Sequence, residues 1–199
     1  MKGSTALGAV HEGPSAPGVS GFQDPATDFS DGLKVLLAYH ERFLVEGQRL
    51  VTFAVTLAQQ GLDEAGAAEA LRLAEYFKNA MPLHHRDEER ALFPRIVNRS
   101  FLIDGMIERL ALDHDEIEAS WGELAPLLRH PVEIANPKRL SQVAHPFEKL
   151  MREHIVRENE DFFPKLEALL ASDRRRDIGL DMARLRGRQW LTKNITSRP

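Results

Sequence analysis

Apolar positions recur every three to four residues over most of the chain, a period that predicts long amphipathic helices. Leu33, Leu36, Leu37, Phe43, Leu44, Leu50, Val51 and Leu57 mark the first, with Asp28 or Ser30 as its cap. It ends near Gln60, where Gly61-Leu62-Asp63 punctuates the pattern. A second helix covers about 64–90, with Pro82 a kink or boundary inside it and Pro94 interrupting the pattern near its end. The third covers about 101–128 and closes at His130-Pro131. The fourth opens with Pro137 at its first position and runs to about 170, with Pro146 and Pro164 as local disturbances. A shorter fifth segment, 178–190, is placed to pack across an end of the others. Nothing alternates as a strand would. Four long helices with short connections predict an all-α, up-down-up-down four-helix bundle.

Composition adds the edges of this picture. Residues 1–27 hold five Gly and three Pro with few large apolar side chains, and read as a flexible N-terminal arm. The bundle occupies 28–171, and 172–199 is a basic C-terminal tail with a short helix. That tail has eight Lys/Arg against three Asp, a net +5 in a chain of net charge -4. It lacks the interleaved aromatics of a single-strand binder, so it reads as a solvated or self-docking segment, with no nucleic-acid partner. At 199 residues and 43% hydrophobic, the chain suits one domain with a sizeable core. There are no cysteines, which excludes disulfides, thiolate zinc sites, cysteine-ligated iron–sulfur clusters and thiol catalysis. No apolar run suits a signal peptide or a membrane span. The expectation is a soluble, cytoplasmic protein with no membrane partner, and the long bundle is compatible with a homodimer.

The chemistry lies in a repeat. The stretch HHRDEERALFP, from His84, and the stretch HIVRENEDFFP, from His154, both read His, Glu at +4, Phe at +9 and Pro at +10. Each follows a helix with one histidine: His40 lies 44 residues before His84, and His114 lies 40 before His154. Residues at i and i+4 share a helix face, so each HxxxE presents a ring nitrogen beside a carboxylate. Antiparallel packing brings four such faces to one axis. Buried carboxylates are costly unless paired or metal-bound, and histidine is the commonest metal ligand. Two metals about 3.5–4 Å apart, sharing Glu88 and Glu158 as bridges, satisfy four imidazoles and two carboxylates. Such donors suit iron, with manganese or mixed occupancy as the alternative. The ferritin-like Glu-x-x-His pairing is absent, since Leu37, Met81, Ala111 and Met151 stand at -3. HExxH is absent too. His85 and Glu89 face about 100° away from their neighbours and read as an exposed pair or one just behind the site. His11, His130 and His145 read as solvated or structural.

His40, the run His84 to Glu89 through Phe93-Pro94, His114-Asp115-Glu116, and His154 through Glu158 to Phe163-Pro164 resemble the hemerythrin-like (HHE cation-binding) family. The resemblance covers about 28–170. It implies a four-helix bundle around a non-haem di-iron centre with ligands His40, His84, Glu88, His114, His154 and Glu158. Oxygen-carrying hemerythrins have a second His four residues after the third-helix one, where this chain has Glu118. They also end on HxxxxD, whereas Asn159 stands at +5 from His154. The four-His, two-Glu set is similar to bacterial hemerythrin-like proteins of nitric-oxide and oxidative stress. Glu118 stays open as a seventh ligand or a solvated neighbour of the site. The function implied is binding or sensing a small diatomic ligand, dioxygen or nitric oxide, or holding iron. The alternative is an enzyme that reduces peroxide or nitric oxide, or donates iron for iron–sulfur cluster repair.

Overall fold

The computed structural model describes residues 22–133 and 136–187. Helix α1, Gly32–Gln60, starts where the Asp31 carboxylate accepts the Leu33 N–H at 3.0 Å. Asp28 and Ser30, the caps expected from sequence, are occupied with each other: Asp28 accepts both the N–H and the hydroxyl of Ser30 at 2.9 Å. Such a side-chain cap contributes about 1 kcal/mol, and Asp31 supplies it while its other oxygen lies 3.3 Å from Arg175 Nε. Gly61 ends α1 at φ 80, a backbone conformation that costs glycine little. Helix α2, Glu64–Asp87, is capped by Asp63 and continues through Pro82. Helix α4, Phe101–Arg129, is capped by Ser100, and helix α5, Pro137–Arg157, by Asn136 with Pro137 just inside.

α1 packs on α2 and α5, and α4 packs on the same two helices, which closes a ring of four. The connections between consecutive helices are short, so neighbours run antiparallel and the expected bundle is present. The buried stripe of α1 runs Leu33, Leu36, His40, Phe43, Gly47, Leu50, Ala54 and Leu57, so His40 stands in line with core leucines. Leu44 lies outside that stripe, at 38% exposed.

Neither Phe-Pro ends its helix, contrary to the break expected at Pro94. Glu88–Leu92 and Glu158–Phe162 are single π-helical turns, and helix resumes as α3, Phe93–Ile96, and α6, Phe163–Leu169. The N–H of Phe93 reaches the carbonyl of Glu88, and that of Phe163 reaches Glu158, each five residues back. Proline supplies no N–H for the carbonyl four residues before it, and a widened turn absorbs that loss. The inserted residue also turns the face. In a straight α-helix a residue at +9 points about 180° from the first, whereas one extra residue in the turn brings it to about 80°. Phe93 and Phe163 are thereby returned to the interior, both below 10% exposed.

Helix α7, Ser172–Leu185, lies across α1 and the first π turn, slightly earlier in the chain than the expected 178–190. Contact there is very close: a Cβ on Gly179 would sit 2.3 Å from the Phe29 carbonyl oxygen. Residues 188–199, most of the basic tail after α7, lie outside the described residues, as do residues 1–21 of the expected arm. Residues 22–31 run without helix along the bundle and bury Ala26 and Phe29. No helix among the described residues is long and apolar enough to cross a membrane.

Candidate metal centre

The six sequence-predicted donors converge inside the bundle. His40 comes from α1, His84 from the end of α2, Glu88 from the first π turn, His114 from the middle of α4, His154 from the end of α5, and Glu158 from the second π turn. None is more than 2% exposed. Their donor atoms form two groups, each with all atoms within 4.8 Å of one another: His40, His84, Glu88 and Glu158; and Glu88, His114 and His154.

The carboxylates join the groups. Glu158 Oε2 lies 3.0 Å from His40 Nε2 and 3.1 Å from His154 Nε2. Glu88 Oε2 lies 3.1 Å from His114 Nε2 and 3.6 Å from His84 Nε2. Each glutamate therefore touches the histidine of its own HxxxE and the lone histidine of the other half. His40 Nε2 and His84 Nε2 face each other at 3.2 Å. Both oxygens of Glu88, both of Glu158, and Nε2 of His114 and His154 are buried without a hydrogen-bond partner. Buried polar atoms are almost always paired, so six orphans around one point call for a cation. Non-haem metal bound through nitrogen and oxygen fits this donor set.

The pattern of the Hemerythrin HHE cation binding domain matches residues 31–166, well over half of the chain. The chain belongs to the hemerythrin HHE family. A protein of Haemophilus influenzae described as an uncharacterized protein is 25% identical over 158 residues, spanning 78% of this chain and 90% of that one.

Protonation at these side chains reflects the same crowding. Burial, and then the charge of Glu158, hold Glu88 well above the usual carboxylate range. Burial and the neighbouring His40 hold His84 well below the usual histidine value. Burial also opposes ionisation of Glu158, but His154 and His40 outweigh it and keep the carboxyl well below its ordinary range. His154 is correspondingly raised to about 9: burial works against its charge, while Glu158 and Asp113 favour it.

The residues behind the donors differ from the sequence expectation. His85 and Glu89 do not form a pair with each other. His85 is buried, stacks on His114 at 3.9 Å, and places Nδ1 3.3 Å from Glu118 Oε1. Glu89 accepts from His114 Nδ1 at 2.9 Å. Glu118 is 60% exposed and belongs to neither donor group. The sequence argument also missed Asn159, which accepts from His40 Nδ1 at 2.7 Å, and Asp113, whose Oδ2 lies 3.5 Å from His154 Nδ1. Asp113 is held by Arg109 and Arg157. A signal existed: Glu89 and Asn159 each directly follow a donor glutamate in the repeat. Tyr39 stacks near His84, at 5.7 Å between ring centres, while its hydroxyl donates to Asp24. Asp24 and Asp87 both pair with Arg186, which is only 3% exposed and lies over the rings of Phe29 and Tyr39. The segment before α1 and the end of α7 are thus locked together one residue away from Glu88.

Proposed function

We propose that this chain is a non-haem di-iron protein that binds or senses a small diatomic ligand, dioxygen or nitric oxide, or holds iron in the cytoplasm. In this reading His40 and His84 would hold one iron and His114 and His154 the other, with the carboxylates of Glu88 and Glu158 available to both. The observation that carries it is the pair of orphaned buried carboxylates, each within 3.6 Å of a histidine from either group. When bound, ferrous iron supplies an open coordination position and an electron source for a small ligand. The chain's own part is geometric. Glu89 and Asn159 fix the ring orientation of His114 and His40 by accepting from Nδ1, which turns Nε2 toward the centre. Phe93, Phe163 and Phe43 wall the site against water, with Phe163 stacked 5.3 Å from His40 and Phe43 5.3 Å from His84. Donors this deeply buried favour the smallest ligands, because anything larger would have to displace helices.

Purification without oxygen, followed by iron quantitation and optical spectra with dioxygen, nitric oxide or peroxide, tests the reading. About two irons per chain and a reversible spectral change with dioxygen or nitric oxide are expected. Consumption of peroxide or nitric oxide over many turnovers would make the protein an enzyme. Metal content near zero, with no loss of thermal stability on adding chelator, would reject the metal site altogether.

A further inference from the structure

The two halves of the centre are related by the repeat, yet the groups that hold the histidines from behind are not equivalent. His114 donates from Nδ1 to the carboxylate of Glu89 at 2.9 Å, whereas His40 donates from Nδ1 to the amide oxygen of Asn159 at 2.7 Å. Glu89 and Asn159 occupy the same place in the two π turns, one residue after the donor glutamate. The bonds are similar in length, so both rings are oriented; the difference between them is charge. A carboxylate behind an imidazole makes its opposite nitrogen a stronger donor and adds negative charge near the cation, which an amide oxygen does much less.

The partner histidines differ in the same sense. His154 Nδ1, although without a hydrogen bond, has the Asp113 carboxylate Oδ2 at 3.5 Å, and Arg109 and Arg157 draw off part of that charge. His84 Nδ1 also lacks a hydrogen bond among the described residues, but its ring faces Tyr39 and Phe43 where His154 has the Asp113 carboxylate. Around His114 and His154 stand Glu89, Asp113, His85, Glu118 and the ring of Phe93; around His40 and His84 stand Asn159, Tyr39, Phe43 and Phe163, with His85 also 5.9 Å from His84 between ring centres.

We infer that the two metal positions are unequal, with Glu89 making the His114–His154 position the tighter one and Asn159 leaving the His40–His84 position weaker. Glu89 and Asn159 are positioning residues, acting on the metal through His114 and His40. This inference rests on the two-metal reading above. A partly loaded protein then holds its metal at the α4–α5 side, and the α1–α2 side exchanges metal first.

The test is an oxygen-free titration of the chelator-stripped, full-length chain with ferrous iron, followed by calorimetry and by Mössbauer spectra of 57Fe. Two binding steps separated by about tenfold or more are expected, in line with the usual 10–100-fold effect of such outer partners. His114→Ala should abolish the tighter step and His84→Ala the weaker one. Glu89→Gln should weaken the tighter step by roughly 10–100-fold and bring the two iron signals together. Asn159→Asp should strengthen the weaker step. Thermal unfolding of the stripped Glu89→Gln protein should match the parent, which separates tuning of the metal from damage to the fold. Two equal steps in the parent protein, or equal losses in Glu89→Gln and Asn159→Ala, would overturn this inference alone. No metal uptake by the parent protein would overturn the di-iron reading with it.

Discussion

The two halves of the centre share a skeleton and differ in lining. Each supplies a lone histidine, an HxxxE, a π turn and a phenylalanine folded back against a histidine. Around the first half's histidines the neighbours are mostly aromatic: Phe163 lies 4° from parallel with His40, and Tyr39 stacks near His84. Around the second half's they are mostly ionisable, Glu89, Asp113, His85 and Glu118, with Phe93 stacked on His114 at 6.3 Å. What repeats in the sequence places the six donors, and what does not repeat sets the electrical surroundings of each pair. Cover differs as well, because α7 packs on α1 and the first π turn, both in the first half.

Removing one histidine from either half breaks this comparison most severely. His154→Ala and His84→Ala should each lose one of two irons while the other position stays filled, as measured by metal analysis after anaerobic loading. Normal two-iron loading in either variant would show that its histidine is not a ligand.

A smaller effect is expected from the cover over the first half. Arg186→Leu leaves Asp87, 0% exposed, and Asp24 without their shared cation, and breaking a buried pair typically costs about 3–5 kcal/mol. Chemical denaturation should detect that loss. Adding Asp87→Asn should restore part of it, because no uncompensated buried charge then remains at that position. An Arg186→Leu protein as stable as the parent would mean that α7 holds through its apolar face alone.

The mildest change makes the halves alike at one position. Glu118 stands four residues after His114, where Leu44 stands four after His40. Glu118→Leu should change stability by less than about 1 kcal/mol, since the pair with His85 is largely exposed on the glutamate side. It should leave iron content unchanged. A fall in iron content would instead make Glu118 a ligand.

The long helices were legible because their apolar positions recur at the helical period, and the six donors because two segments repeat the same spacing. The π turns were not. Proline reads in sequence as an interruption, and whether a helix breaks or widens there depends on packing that keeps Phe93 and Phe163 inside. The pairing of His85 with Glu89 failed for the same reason: it assumed an unbroken α-helix, whereas the turn beginning at Glu88 delivers Glu89 to His114 instead. Arg186 was hidden in a different way. Its partners Asp24 and Asp87 lie 162 and 99 residues away along the chain, and no local pattern marks a contact of that range.

The crossed reach of the glutamates bears on the topology of the chain. Glu88 belongs to the first helical hairpin and touches a histidine of the second, and Glu158 does the reverse. The stretch joining the hairpins, from His130 to Asn136, carries none of the six donors. Noncovalent contact between the hairpins brings the two sets together, so the candidate centre lies on an internal seam with three of the six donor side chains from either side.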